Sequence, residues 1–200
     1  MGTVSTVCVS DAQLVARARQ GDPVAFGELV DRHRSAVYRA ALAALGSHAE
    51  AEDAAQDAFV MAFKRLGGFR GDASFKTWLL TIAWHQAINR RRSLRRMLRQ
   101  IVQPASSTDQ ESVVEHVAAS GLSPEAAAAT TELRRSIRGA IRSLAPKLRD
   151  ALLLAQSGDY TYAEIAAMQS TPVGTIKWRV SEARRLVKLR LRESGYDDVG

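Results

Sequence analysis

Apolar positions along this 200-residue chain recur every three to four residues, and breaks in that rhythm fall at glycines, prolines and capping side chains. Ser10 and Asp11 cap a short helix that ends near Gly21. Asp22 then places an acceptor before Pro23, and Phe26, Leu29, Val30, His33, Val37, Tyr38 and Ala41 continue at helical spacing until Gly46. Ser47 and Glu50 form the S-x-x-E pattern of a capping box over a third helix running through Leu66. In that helix Ala55, Ala58, Phe59, Ala62, Phe63 and Leu66 share one face. Asp53, Gln56, Asp57 and Lys64 share the other, with Val60 between. The polar face reads equally well as a solvated surface or as a docking face for another protein.

Gly67-Gly68 end this helix, and a loop from Phe69 to Ser74 leads into a helix reaching Arg99. On a wheel of about 100° per residue, Phe75, Leu79, Ile82 and Ala83 share one arc, and Leu80, Trp84, Ala87 and Ile88 the opposite one. Between them runs a narrow polar seam, Thr81, His85, Asn89 and Arg92, edged by Trp78, while Trp84 reads as core. From Val102 to Ser123 the pattern dissolves into a polar stretch holding Pro104, Asp109, Glu111 and Glu115. Helix restarts at Ser123-Pro124-Glu125, with Leu133, Ile137 and Ile141 as its buried stripe. It restarts again at Pro146, with Leu148 and Ala151 to Leu154 as core and Ser157-Gly158 as stop.

Thr161 and Glu164 form a second capping box, over Tyr162 to Met168. After Gln169-Ser170, Thr171 as N-cap and Pro172 at the first helical position open a last helix to about Arg192. A short helix, a tight turn and a longer helix make a helix-turn-helix layout. Val173, Ile176, Val180, Ala183 and Val187 face its core; Lys177, Trp178, Ser181, Arg184, Arg185 and Lys188 share the open face. The backbone N–H groups around Val173 and Gly174 suit a phosphate. No strand-like alternation of useful length occurs. The pattern predicts an all-α protein whose length permits one large domain or two small ones, with two helical stretches, 10–100 and 126–194. A flexible acidic linker over 101–125 joins them, between tails at 1–9 and 195–200.

Charge sharpens this division. The net charge is +7, yet residues 67–100 carry 8 Lys/Arg against 1 Asp/Glu, residues 101–125 carry 4 acids and no base, and residues 126–200 carry 13 bases against 8 acids. Arg90, Arg91, Arg92, Arg95, Arg96 and Arg99 crowd within ten positions. Two basic blocks separated by an acidic stretch predict two surfaces that face polyanions. Cys8, in the tail, is the single cysteine, which excludes an internal disulfide or a Cys-based metal site and fits a reducing compartment. No signal-peptide pattern is visible, and the apolar run from Trp78 to Trp84 is far below the roughly 20 residues that span a bilayer. A cytoplasmic protein without membrane insertion is expected. His33, His48, His85 and His116 show no zinc spacing, and neither a GxxxxGK[ST] loop nor a G-x-S-x-G elbow occurs. Hence no catalytic residue, metal or cofactor is expected, and the chain does not read as an enzyme.

Three stretches, AEDAAQDAFVMAFKRL, FRGDASFKTWLLTIAWHQAIN and YTYAEIAAMQSTPVGTIKWRVSEARRLV, together resemble the group IV, or extracytoplasmic function (ECF), sigma factors of bacterial RNA polymerase. The resemblance covers roughly residues 10–192 and implies a sigma-2 and a sigma-4 domain that bind core polymerase and direct it to promoters. By position it gives Asp53, Gln56, Asp57, Val60 and Lys64 to the β′ clamp helices of the polymerase. It makes Phe69, Arg70, Gly71, Asp72, Ala73 and Ser74 the loop that captures a flipped-out base of the −10 element. It also gives Lys76, Trp78, His85, Asn89 and Arg92 to −10 DNA binding, with Asn89 next to the displaced strand. Thr171, Pro172, Thr175, Lys177, Trp178, Arg179, Ser181, Arg184, Arg185 and Lys188 fall to the −35 element.

The β flap and an anti-sigma factor wedged between the domains are further implied partners. Two departures stand out: Trp178 replaces a small polar residue of the family's G-T-[IV]-K-x-R motif, and Ala54, Ala55 and Ala58 are expected to soften the packing of the polymerase-contact helix. The residues alone leave two rivals, a stand-alone helix-turn-helix regulator of duplex DNA and a protein using its arginines non-specifically on membranes or RNA.

Overall fold

The computed structural model describes residues 9–101 and 124–196, and the only secondary structure among these residues is helical, with no strand. In order they form α1 (Asp11–Arg19), α2 (Pro23–Leu45), α3 (His48–Arg65), a 3-10 turn (Leu66–Gly68), α4 (Phe75–Ile101), α5 (Pro124–Ser143), α6 (Pro146–Gln156), α7 (Tyr162–Met168) and α8 (Val173–Glu193). Cys8, the expected linker with Asp109, Glu111 and Glu115, and the last tail residues lie outside the described part.

The predicted caps are largely where the sequence puts them. Ser10 and Gln13 form a reciprocal capping box on α1, Asp22 Oδ1 accepts from the N–H groups of Val24 and Ala25 at 3.0 and 3.2 Å, and Thr161 and Glu164 close a box on α7. The box on α3 is half made. Ser47 Oγ accepts from Glu50 N–H, but the Glu50 carboxylate turns away to Arg90 instead. Ser74 Oγ accepts from Thr77 N–H at 3.1 Å and so starts α4. Between α7 and α8 the turn is a Schellman closure, with Thr171 N–H on Ala166 O and Ser170 N–H on Ala167 O. Ser170 sits there at φ 48°, the left-handed conformation this closure requires.

α2, α3 and α4 pack on one another with α1 across α2, and α5, α6 and α7 gather on α8. Leu14, Leu29, Val37, Leu79 and Leu80 are fully buried in the first group, and truncating one of these leucines to alanine should cost about 2–5 kcal/mol. Ala51, Ala54, Ala55, Ala58 and Ala62 are buried along α3, so small side chains form this contact. Phe63 corrects the wheel: it is exposed, with its ring edge-on to Phe26 at 5.0 Å, because α3 turns its alanine row inward. Leu133, Ile137 and Ile141 are only half-buried on α5.

The two groups also pack on each other. α7 lies against α4 and α6 against α2, and Ile165, Met168, Ile176 and Leu154 belong to the same apolar cluster as Leu79, Leu80 and Trp84. Polar contacts cross this seam as well. Arg91 Nη1 and Nη2 donate to the two Asp150 oxygens at 2.8 Å each, and Nη1 also reaches Ala44 O at 3.0 Å. Lys76 Nζ meets Glu164 Oε1 at 2.9 Å, Arg39 pairs with Asp159, and Tyr160 donates its hydroxyl to Ala36 O at 2.5 Å. Burial pushes the Tyr160 phenol well above its ordinary value, so it stays a donor.

Candidate nucleic-acid interface

The acidic face of α3 is exposed as the wheel predicts: Asp53, Gln56, Asp57, Val60 and Lys64 all face solvent, together with Phe63. Sequence reasoning missed what organises it. Arg90 of α4 reaches across to Glu50, to Asp53 at 2.7 Å and towards Asp57 at 3.6 Å. The hydrogen bond Arg90 donates to Glu50, followed by the charges of Glu50 and Asp53, holds the guanidinium above its usual value despite some burial. The available signal was the spacing of Glu50, Asp53 and Asp57, one acidic stripe at three- and four-residue steps.

The loop before α4 divides into an anchor and an exposed tip. Phe69 is half-buried, 5.9 Å from the Phe75 ring and 5.1 Å from Trp78, which in turn lies 5.7 Å from Phe75. This aromatic trio roots the loop. Arg70, Gly71, Asp72, Ala73 and Ser74 are exposed beyond it, and Gly71 at φ 82° makes the bend. Further along α4, His85, Asn89 and Arg92 are exposed and Thr81 is half-buried, bonded to Thr77 O, while Trp84 is core. Asn89, Arg92, Arg95 and Arg96 line an open groove of about 490 Å³. Hydrogen-bonding amide and guanidiniums on one wall fit a phosphodiester strand. Lys76 is not on this wall; it is engaged with α7.

On α8 the predicted face separates into free and committed side chains. Lys177, Trp178, Ser181, Arg184 and Lys188 are exposed. Arg179 is half-buried and donates to Gln169 Oε1 at 2.9 Å, which ties the helix to the turn before it. Arg185 makes a two-pronged bond to Glu182 at 2.8 and 2.9 Å, which holds the Glu182 carboxyl low and the guanidinium high. The start of the helix corrects the sequence expectation. Thr171 donates to Gln169 O instead of capping, and Pro172 is the extended N-cap residue, so α8 begins at Val173. Thr175 is half-buried in the first turn.

Comparison with known proteins decides what this pair of surfaces belongs to. The Sigma-70 region 2 family model matches residues 29–97, and the Sigma-70, region 4 model matches residues 134–187. The RNA polymerase sigma-H factor of Pseudomonas aeruginosa is 33% identical over 183 residues, covering 91% of this chain and 94% of that protein. The ECF RNA polymerase sigma factor SigW of Bacillus subtilis is 30% identical over 179 residues, covering 90% and 95%.

The chain belongs to the ECF sigma factors.

Among solved structures, CnrH in complex with the cytosolic domain of CnrY matches with a TM-score of 0.61 and 25% identity, over 92% of this chain and 97% of that one. The region 2 match spans the groove and the acidic face, which a stand-alone helix-turn-helix regulator would leave without a purpose. Region 4 takes in α6, α7 and nearly all of the α8 open face, Lys188 lying just beyond its end. Among the described residues, no helix of this sigma factor is long and apolar enough to cross a membrane.

Proposed function

We propose that this sigma factor works as two readers on one polymerase, a sigma-2 module over residues 10–100 and a sigma-4 module over 126–194. One observation carries the reading: a strand-sized groove of Asn89, Arg92, Arg95 and Arg96 and an exposed basic α8 face occur on the same chain, beside an exposed acidic helix. Asp53, Gln56, Asp57, Val60 and Lys64 dock on the β′ clamp helices, and the sigma-4 module on the β flap. The loop tip from Arg70 to Ser74, rooted by Phe69 and Trp78, receives a base flipped out of the −10 element. Extruding a base costs a few kcal/mol. Contacts to the extruded base and arginines on the freed backbone offset that cost. His85, Asn89 and Arg92 track the displaced strand, and the α8 face reads the −35 element. The chain contributes no catalytic group or cofactor; polymerase in the cytoplasm supplies the chemistry.

The packed arrangement cannot serve both elements at once. Elements about 25 base pairs apart lie roughly 85 Å apart along B-form DNA at about 3.4 Å per step. A globule of this length has a radius of gyration of about 16 Å and is roughly 40 Å across. The modules therefore part along the α4–α7 seam when they bind polymerase, and Lys76 is released to DNA as Glu164 withdraws. An anti-sigma partner that holds the modules together fits this scheme, as the family resemblance implies. The test is run-off transcription with core polymerase on a genomic fragment library, alongside pull-down of the core enzyme. Defined start sites and 1:1 association are expected. Duplex binding with no start-site selection would leave only the regulator reading.

A further inference from the structure

The residue at the crest of the base-reading helix is chemically out of place for hydrogen-bond readout. Stepping about 100° per residue, Trp178 lies diametrically opposite the buried positions Ile176, Val180 and Ala183, and it is 61% exposed. It sits five residues into α8, about 7.5 Å from the helix start, in the N-terminal part that enters a major groove in helix-turn-helix docking. Of the residues one turn away along the crest, Gly174 and Ser181 are small, while Glu182 is tied up by Arg185 further on. A Cβ added at Gly174 would meet nothing within 4 Å, so the indole has room to lie flat along the helix. Lys177, Arg184 and Lys188 gather on one flank, where they suit a phosphate backbone. On the other flank Glu182 is neutralised by Arg185, so no free carboxylate repels the DNA.

An indole has one donor, no acceptor and a large apolar face. The major groove offers one apolar base-edge group, the C5-methyl of thymine. Resting on the promoter reading above, we infer that Trp178 is a specificity-determining residue of this sigma factor: its ring covers a thymine methyl within the −35 element. Specificity at that base pair comes from apolar contact. It does not come from a bidentate hydrogen bond.

The experiment uses full-length protein with core polymerase. A template pool randomised across the −35 element is selected for run-off initiation, and each thymine of the winning sequence is then replaced singly by deoxyuridine, which deletes only the methyl group. Covering one methyl corresponds to roughly a four- to tenfold change. The expected result is one thymine whose replacement lowers initiation four- to tenfold with the wild type. Trp178→Ala should be indifferent to that replacement and Trp178→Phe intermediate. Because Trp178 is exposed, both variants should keep the wild-type helical content. The inference is overturned if the winners lack thymine, if no deoxyuridine replacement matters to the wild type, or if the replacement costs Trp178→Ala equally. Failure of the promoter reading is visible separately, as no start-site selection by the wild type from any template in the pool.

Discussion

Replacing Asp150 by alanine removes the carboxylate that Arg91 grips and that favours the charge of Arg149 at the seam between the modules. The side chains of Arg91 and Asp150 are 14% and 9% exposed, and their bidentate bond is supplemented by Ala44 O. Burial already works against the charge on Arg149, and Arg91 and Arg95 add to that effect. Breaking a buried pair by deleting one partner costs about 3–5 kcal/mol, because the remaining charge is stranded. The low end, about 3 kcal/mol, suits a pair that keeps some solvent. Arg91 can escape this cost without unfolding, since parting the modules returns it to water. The penalty should therefore fall on the closed state alone, shifting the closed-to-open ratio by about two powers of ten.

Small-angle scattering reads the outcome. Wild type should show a radius of gyration of about 16 Å, and Asp150→Ala a clearly larger one with unchanged helical content. Arg91→Met combined with Asp150→Leu, which replaces the pair by apolar side chains of similar volume, should restore compactness. One cooperative transition melting earlier in Asp150→Ala, with no expansion, would mean that the modules form an indivisible core. The opening step would then be wrong. If neither size nor stability moves, the ion pair holds nothing together.

Asp53→Lys or Asp57→Lys should weaken the 1:1 complex with core polymerase at least tenfold by quantitative pull-down while leaving helical content intact, since both side chains are exposed; undiminished binding would remove α3 from the docking surface. Arg92→Ala and Arg95→Ala should each lower the slope of log affinity against log salt by about one on single-stranded DNA. Arg90→Ala should leave that slope unchanged, because its guanidinium is held by acids. For Glu164, burial opposes ionisation, but hydrogen bonds from Thr161 and Lys76 outweigh it, and its carboxyl lies below the ordinary 4.5. Its contribution is thus complete above the ordinary value and is lost as pH falls through the lowered one. Denaturant titrations across the acid range should show that loss, and Glu164→Gln should abolish that part of the pH dependence.

The caps at Ser10, Asp22 and Thr161 were legible because a cap is a local bond, completed within three residues. Thr171 misled because the Schellman closure at Ser170 pulls its hydroxyl back to Gln169, a choice made by the preceding helix. The arginine tract shows where wheel reasoning stops. A wheel tells which way a side chain leaves its helix, but not which charge meets it from 40 or 59 positions away. Consecutive residues diverge by about 100°, and three neighbouring arginines accordingly serve three tasks. Arg90 braces the acidic face, Arg91 clasps the second module, and Arg92 faces the groove. Counting the tract as six equivalent cations overstates what the closed molecule offers a nucleic acid. On the proposed opening, Lys76 and Arg91 leave Glu164 and Asp150 and become available to phosphate, so the open state should bind DNA more tightly than the closed one.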